Sequence, residues 1–192
     1  MLAFAGSPRR GGNTDMLLAA TLEGAEVAGA RIERYDLGEL SIAPCRHCGG
    51  CAAGQGVCVV RDDMATLYEP LRAAERIIIA SPIFFMSVTA QAKAMIDRCQ
   101  PLWVLRNRGL PVATGRAPRA GLFLSVAGSA LAHAFDAAGV TLTSWYWTLE
   151  IFERRELTFG GIDVAGAIRE HPTALDDARR AGRELATWRA GE

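Results

Sequence analysis

Five short runs of strand character, separated by stretches of helical period, organise this chain. Leu2 to Ala5 is apolar throughout, and Arg31 to Leu37 alternates Ile32, Arg34 and Asp36 against Glu33, Tyr35 and Leu37. Strict alternation fits a half-buried strand, whereas a continuous apolar run fits one buried on both faces. Ile77-Ile78-Ile79-Ala80, inside Arg76 to Ser81 and closed by Pro82, is of the second kind and predicts a central strand. Ala120 to Ala127 predicts a fourth strand. Thr141 to Phe159 mixes β-branched and aromatic residues with charges, and part of Thr148 to Leu157 within it predicts a fifth.

Helices are expected over Asp15 to Ala28, Met64 to Ala74, Ser87 to Leu105, Ala130 to Ala138 and His171 to Ala190. Asp62 and Asp63 stand where an N-cap belongs, and Val88, Ala92, Met95 and Cys99 mark one apolar helical face. Strands alternating with helices predict an α/β protein: a doubly wound, five-stranded parallel sheet in three layers. The order 2-1-3-4-5 suits that count and places a ligand beyond the carboxyl ends of strands one and three, where the winding reverses. With 192 residues and no repeat, linker or low-complexity tract, a single domain over 1–192 is expected.

This geometry singles out two loops. Gly6-Ser7-Pro8-Arg9-Arg10-Gly11-Gly12-Asn13-Thr14 turns the first strand straight into the first helix. Orphan backbone N–H groups and the positive end of the helix dipole make such a turn an anion site. Ser7, Asn13 and Thr14 add side-chain hydrogen bonds, and Arg9 adds a fork of donors suited to a phosphate. An ordinary turn capped by Asn13 or Thr14 is the plainer reading. The spacing is neither a dinucleotide fingerprint nor a Walker loop. The second loop, Ser81-Pro82-Ile83-Phe84-Phe85-Met86-Ser87, brings four large apolar residues to the same rim. Beside an anion site it suits a flat aromatic ring; alone it would read as a plug over the sheet or a subunit contact.

Charge and composition exclude some partners. Lys plus Arg and Asp plus Glu both number 21, so no global field favours nucleic acid or an anionic membrane. No apolar run approaches membrane-spanning length, and the first residues lack the features of a signal peptide. The expectation is a cytoplasmic protein.

Five cysteines in such a chain point to metal or redox chemistry. Four form Cys45-x2-Cys48-x2-Cys51-x6-Cys58, inside a stretch from Glu39 to Asp62 that shows no period. A loop that long is expected to be functional or tied down. Thiols at two-residue intervals can converge on one centre, and Gly49, Gly50 and Gly54 relieve the crowding. Compact runs of this kind usually hold iron–sulfur clusters, whereas zinc knuckles are usually farther apart. Zinc, a local disulfide and plain thiols are the alternatives. His47 reads as a solvated loop residue before a ligand, and Cys99 as core. Arg106, Arg108, Arg116 and Arg119 read as solvated surface first, with a dinucleotide-phosphate contact second.

Together these residues resemble the flavodoxin-like NADPH-dependent FMN reductase superfamily, and within it the iron–sulfur flavoprotein branch. The resemblance is carried by Gly6-Ser7-Pro8-Arg9 with Asn13-Thr14 and by the cysteine run ending in Cys58-Val59-Val60-Arg61-Asp62-Asp63-Met64. Ser81-Pro82-Ile83-Phe84-Phe85, Lys93 and Ile96-Asp97-Arg98 extend it, so that it covers roughly residues 2 to 103. It implies FMN, with the phosphate at Ser7, Arg9, Asn13 and Thr14. The isoalloxazine would lie against Pro82, Ile83, Phe84, Phe85 and Met86, with Ala127, Gly128 and Ser129 closing the far side. Phe84-Phe85 stands where the family often has an aromatic pair with tyrosine, so a hydroxyl contact is missing.

The branch further implies a 4Fe-4S cluster on Cys45, Cys48, Cys51 and Cys58. Because that cysteine-rich loop, about 41–62, leaves strand two beside strand one, the thiols are expected at the flavin's rim. Family members are typically homo-oligomers whose subunits complete each other's flavin sites, which implies a homodimer or homotetramer. Trp145-Tyr146-Trp147 points the same way, as more aromatic surface than one small domain readily buries. The expected function is an oxidoreductase passing electrons from NAD(P)H or ferredoxin through FMN to a small acceptor. No residue need act as nucleophile or base, because the cofactor carries the chemistry. The alternatives are a cluster-free NAD(P)H:FMN or quinone reductase, a flavodoxin-type carrier, and a redox sensor using the cysteines alone. Carriers commonly show a strongly acidic face, and this chain is neutral.

Overall fold

In a computed structural model, which describes residues 1–191, the chain forms the expected parallel sheet. Its strands are β1 (Leu2–Ala5), β2 (Glu33–Asp36), β3 (Arg76–Ala80), β4 (Ala120–Val126) and β5 (Glu153–Phe159). They lie in the order β2-β1-β3-β4-β5, and every neighbouring pair is parallel. This is the flavodoxin-like order, with the winding reversed between β1 and β3.

The pleat divides the core in two. Leu2, Phe4, Ile77, Ile79 and Phe123 face one helical layer, while Ala3, Ala5, Ile78, Ala80, Leu122 and Leu124 face the other. The first layer holds α3 (Tyr68–Ala73), α4 (Ala90–Asp97), α5 (Gln100–Asn107) and α6 (Asp136–Thr148). The second holds α1 (Asn13–Val27) and α7 (Ala174–Thr187), and a four-residue helix, α2 (Gly50–Ala53), lies in the cysteine segment. Helices α1 and α7 touch backbone to backbone. A Cβ on Gly24 would stand 2.0 Å from the Arg179 carbonyl oxygen, and one on Gly182 would stand 1.9 Å from that of Thr21. Only glycine permits this approach.

Three expectations need correction. The helix expected over Ser87 to Leu105 is two helices, broken at Arg98-Cys99. Thr89 caps the first by accepting the Ala92 N–H, and Pro101 lies in the first turn of the second. While β5 takes up the later part of the span expected for it, the helix expected at Ala130 to Ala138 starts at Asp136 instead and runs to Thr148. There the β-branched and aromatic residues sit at helical spacing, so burial of Ala138, Leu142, Trp145 and Tyr146 on one face overrides their strand propensity. Trp145 and Tyr146 are therefore core, not spare surface. The tyrosine hydroxyl donates to the Leu122 carbonyl at 2.8 Å, and the Trp145 indole N–H points at Cys99 Sγ at 3.2 Å. Trp147 alone of the three is exposed, under the Arg106 guanidinium at 4.0 Å. Among the described residues, no helix is long and apolar enough to cross a membrane.

Candidate functional site

The loop between β1 and α1 is braced from beneath. Ser7 Oγ accepts the Arg9 N–H at 3.1 Å and donates to the Arg9 carbonyl at 3.0 Å, closing a tight turn. Asp15 accepts the Gly11 N–H at 2.7 Å, and its other oxygen and Asp36 each take Arg34 Nη2 at 2.6 Å. The hydrogen bond to Asp36 is the largest cause that holds the Arg34 pKa above its ordinary value. The N–H groups of Gly12, Asn13 and Thr14, by contrast, find no acceptor within the described chain. Thr14 is 3% exposed, and its hydroxyl has no partner there either. All three residues, with Ser7 and the exposed Arg9, line a cleft of about 710 Å³. Uncommitted donors at a helix start form an anion cradle.

Asn13 plays a part that its sequence position does not announce. Its amide donates to the Val164 carbonyl at 2.9 Å and accepts the Gly166 N–H at 2.8 Å and the Ile168 N–H at 3.3 Å. The side chain is thereby spent on the segment after β5, which leaves its backbone N–H as the uncommitted donor. The expected side-chain contact is corrected accordingly. The clamp brings Ile162, Asp163 and Ala165 into the cleft as a wall that local sequence reading missed.

Pro82, Ile83 and Phe84 line the same cleft, across from the cradle. Phe85 and Met86 do not. They form the tip of a two-residue turn, in which the Phe84 N–H donates to the Ser87 carbonyl at 2.9 Å and the Ser87 N–H returns to Phe84 at 3.1 Å. Their φ angles, 49° and 65°, are left-handed, which costs non-glycine residues about 1–2 kcal/mol each. Phe85 is fully exposed. Gly128 lines the cleft, but its two neighbours do not: Ala127 is buried, with its N–H on the Phe159 carbonyl, and Ser129 Oγ accepts the Leu131 N–H.

Cys45, Cys48, Cys51 and Cys58 line a second cleft, of about 610 Å³, against Pro101 and Trp103 of α5. All four are free thiols, and burial pushes the Cys51 thiol up, with Cys58 and Cys45 adding to the shift. Four cysteines lining one cleft are the donor set that a thiolate-held cluster would need. Among the described residues, no three Cys, His, Asp or Glu groups stand at the spacing of a single-ion site. Zinc in tetrahedral thiolate would need its sulfurs about 3.8 Å apart. His47 lines this cleft too. The two clefts share no lining residue. The segment after β2 begins against the β1–α1 loop, where Glu39 pairs with Arg10, and its short helix α2 packs on α5.

Arg98, at the break between α4 and α5, also lines this second cleft. It is 1% exposed and donates to Asp62, at 2.6 and 3.0 Å, and to the Ala43 carbonyl at 2.8 Å. Burial works against both charges, yet their pairing prevails: the Asp62 carboxyl lies below its ordinary range and the Arg98 guanidinium above its own. Of the other arginines three are engaged by the chain itself, and the expected solvated surface does not hold for Arg119. Arg119 is buried on the carbonyls of Leu71, Ala74 and Leu149, Arg106 lies between Trp147 and Phe152, and Arg108 donates to the Ala52 carbonyl. Arg116 is exposed.

Parts of this chain are similar to known proteins. Residues 1–140 match the family described as NADPH-dependent FMN reductase. An iron-sulfur flavoprotein of Methanosarcina thermophila is 37% identical over 126 residues, 66% of this chain and 62% of that protein. One from Archaeoglobus fulgidus is 41% identical over 96 residues, 50% of this chain and 43% of the relative. The matches thus span less than two thirds of either relative. The solved NAD(P)H:quinone oxidoreductase from Methanothermobacter marburgensis superposes with a TM-score of 0.74 over 100% of this chain and 97% of its own, at 20% identity, a likeness of fold. Because the family's match spans residues 1–140, this chain belongs to the NADPH-dependent FMN reductase family, and it is similar over part of its length to iron–sulfur flavoproteins.

Proposed function

We propose that this protein is an FMN-dependent oxidoreductase that takes electrons from NAD(P)H or ferredoxin and delivers them to a small acceptor. FMN and a 4Fe-4S cluster held by Cys45, Cys48, Cys51 and Cys58 would be its cofactors, exchanging electrons within one subunit or with a neighbouring one. The observation that carries this reading is the open cradle: three uncommitted N–H groups and the Thr14 hydroxyl at the start of α1, facing Pro82, Ile83 and Phe84 across one cleft. Bound flavin supplies the chemistry, accepting electrons in pairs and releasing them singly. The chain binds, orients and excludes water. Gly12, Asn13, Thr14 and Arg9 hold the phosphate, and the 82–84 wall packs on the ring and keeps solvent from one side.

The reading includes a homodimer or homotetramer in the cytoplasm, supported by the exposed apolar tip of Phe85 and Met86 beside the flavin cleft. Protein purified without oxygen should show flavin absorption, iron and acid-labile sulfide together, and should consume NAD(P)H steadily with a quinone or free flavin. Protein that leaves purification without flavin, and binds none on titration, would sink the proposal. Sedimentation should give a multiple of the 20.6 kDa chain.

A further inference from the structure

Apart from α2, residues 41–62 have no regular structure, yet one buried side chain fastens both ends of the segment. Arg98 Nη1 donates to the Ala43 carbonyl, just before Cys45, at 2.8 Å, and to Asp62 Oδ2, just after Cys58, at 2.6 Å. Nη2 donates to Asp62 Oδ1 at 3.0 Å and to the Val60 carbonyl at 3.4 Å, and lies 3.7 Å from Cys58 Sγ. Asp62 completes the neck by accepting the Ala43 N–H at 3.0 Å and the Met64 N–H at 3.1 Å. The Tyr68 hydroxyl fixes Arg98 from behind, donating to its carbonyl at 2.9 Å.

A neck could be closed by apolar residues without burying a cation, which is costly even when paired. What only the guanidinium supplies is an N–H and a positive charge directed at one of the four sulfurs. Hydrogen bonds to thiolate sulfurs and nearby charge tune the potential of a cluster and hold its ligands in place. We propose that Arg98 is the positioning residue of the cysteine cleft. It preforms the cleft by clasping 43 to 62, and its contact with the Cys58 sulfur raises the reduction potential of the cluster held there. The inference rests on the cluster reading above. Its sign follows from charge: reduction adds an electron, and an adjacent cation stabilises the reduced form.

The test uses the full chain with Arg98→Met, Arg98→Lys and Asp62→Asn. In cluster-free protein, trypsin should cut after Arg46, an exposed residue inside the segment, about tenfold faster in Arg98→Met and Arg98→Lys than in wild type. After anaerobic loading with iron and sulfide, the midpoint potential should fall in Arg98→Met and rise in Asp62→Asn. A merely structural arginine would not give shifts of opposite sign. Should Arg98→Met fail to fold, Arg98→Lys, which keeps the charge and loses the fork, still reads the clasp. Wild type that loads while potentials and cleavage rates match across all variants overturns this inference and leaves the cluster standing. Wild type that takes up no more iron than Cys48→Ser, Cys51→Ser overturns the cluster reading and the potential claim together, while the trypsin rates still decide the clasp.

Discussion

The flavin-side cleft takes its donors from backbone N–H groups at the start of a long helix. The cysteine cleft takes its donors from four side chains on an irregular segment. The first is preformed by regular structure, because any helix that starts after a tight turn leaves those groups open. The second has no such guarantee, and its shape depends on a guanidinium from a distant helix break. A backbone-built site should therefore tolerate side-chain loss and fail gradually. A side-chain-built site should fail at its clasp.

The largest effect should come from that clasp. Asp62→Ala leaves Arg98 buried without its counter-charge, which should cost about 3–5 kcal/mol of unfolding free energy in urea titration. A cost under 1 kcal/mol would remove the contrast. The pair also gives a pH signature. The Asp62 carboxyl is held below its ordinary value in the folded state, so its contribution is fully present above the ordinary carboxylate range. It is lost as pH falls through the lowered folded value. Asp62→Asn should lack that part of the acid sensitivity.

A smaller effect is expected at the cradle. Arg9→Ala should weaken FMN binding by about 1.5–3 kcal/mol, the range for a charge-assisted hydrogen bond, as read by fluorescence titration of flavin-free protein. It should leave the thiols as reactive as in wild type. Asn13→Ala should instead act through the 162–168 wall, lowering stability as well as affinity; a loss of affinity alone would mean that the amide reaches the phosphate directly. The smallest effect is one of accessibility. Burial pushes the Cys99 thiol up to about 12. In cluster-free native protein at pH 8, four thiols should react with a disulfide reagent and the fifth only after denaturation. Five reacting at once would show that the core behind Trp145 opens.

Legibility in the sequence follows the same division. The sheet order and the cradle depend on local signals: the Ile77 to Ala80 run, the Gly6 to Thr14 turn, and helices following strands. The wall at Ile162 and Asp163 was not legible, because Asn13 reaches it across about 150 residues of chain. Nor was the clasp. Arg98 lies in an amphipathic stretch, where a lone arginine ordinarily reads as surface. Its burial becomes visible only once Asp62, Ala43 and Val60 converge on it. The aromatic run at Trp145 misled for a related reason. Residue type suggested surface, and helical spacing against Phe4 and Cys99 decided for core.

The Asn13 clamp also sets an order of assembly during synthesis. Chains leave the ribosome amino end first, and structure forms as its parts emerge. Every residue that lines the cysteine cleft has been made once Val104 is out, whereas the flavin cleft waits for Ile162 to Ala165. Between those moments the nascent chain has all four thiols and their clasp but only half a flavin site, the cradle without its far wall. A chain that stalls or is cut between β4 and β5 would therefore be a thiol-bearing fragment with an open anion site, and not a weaker version of the whole.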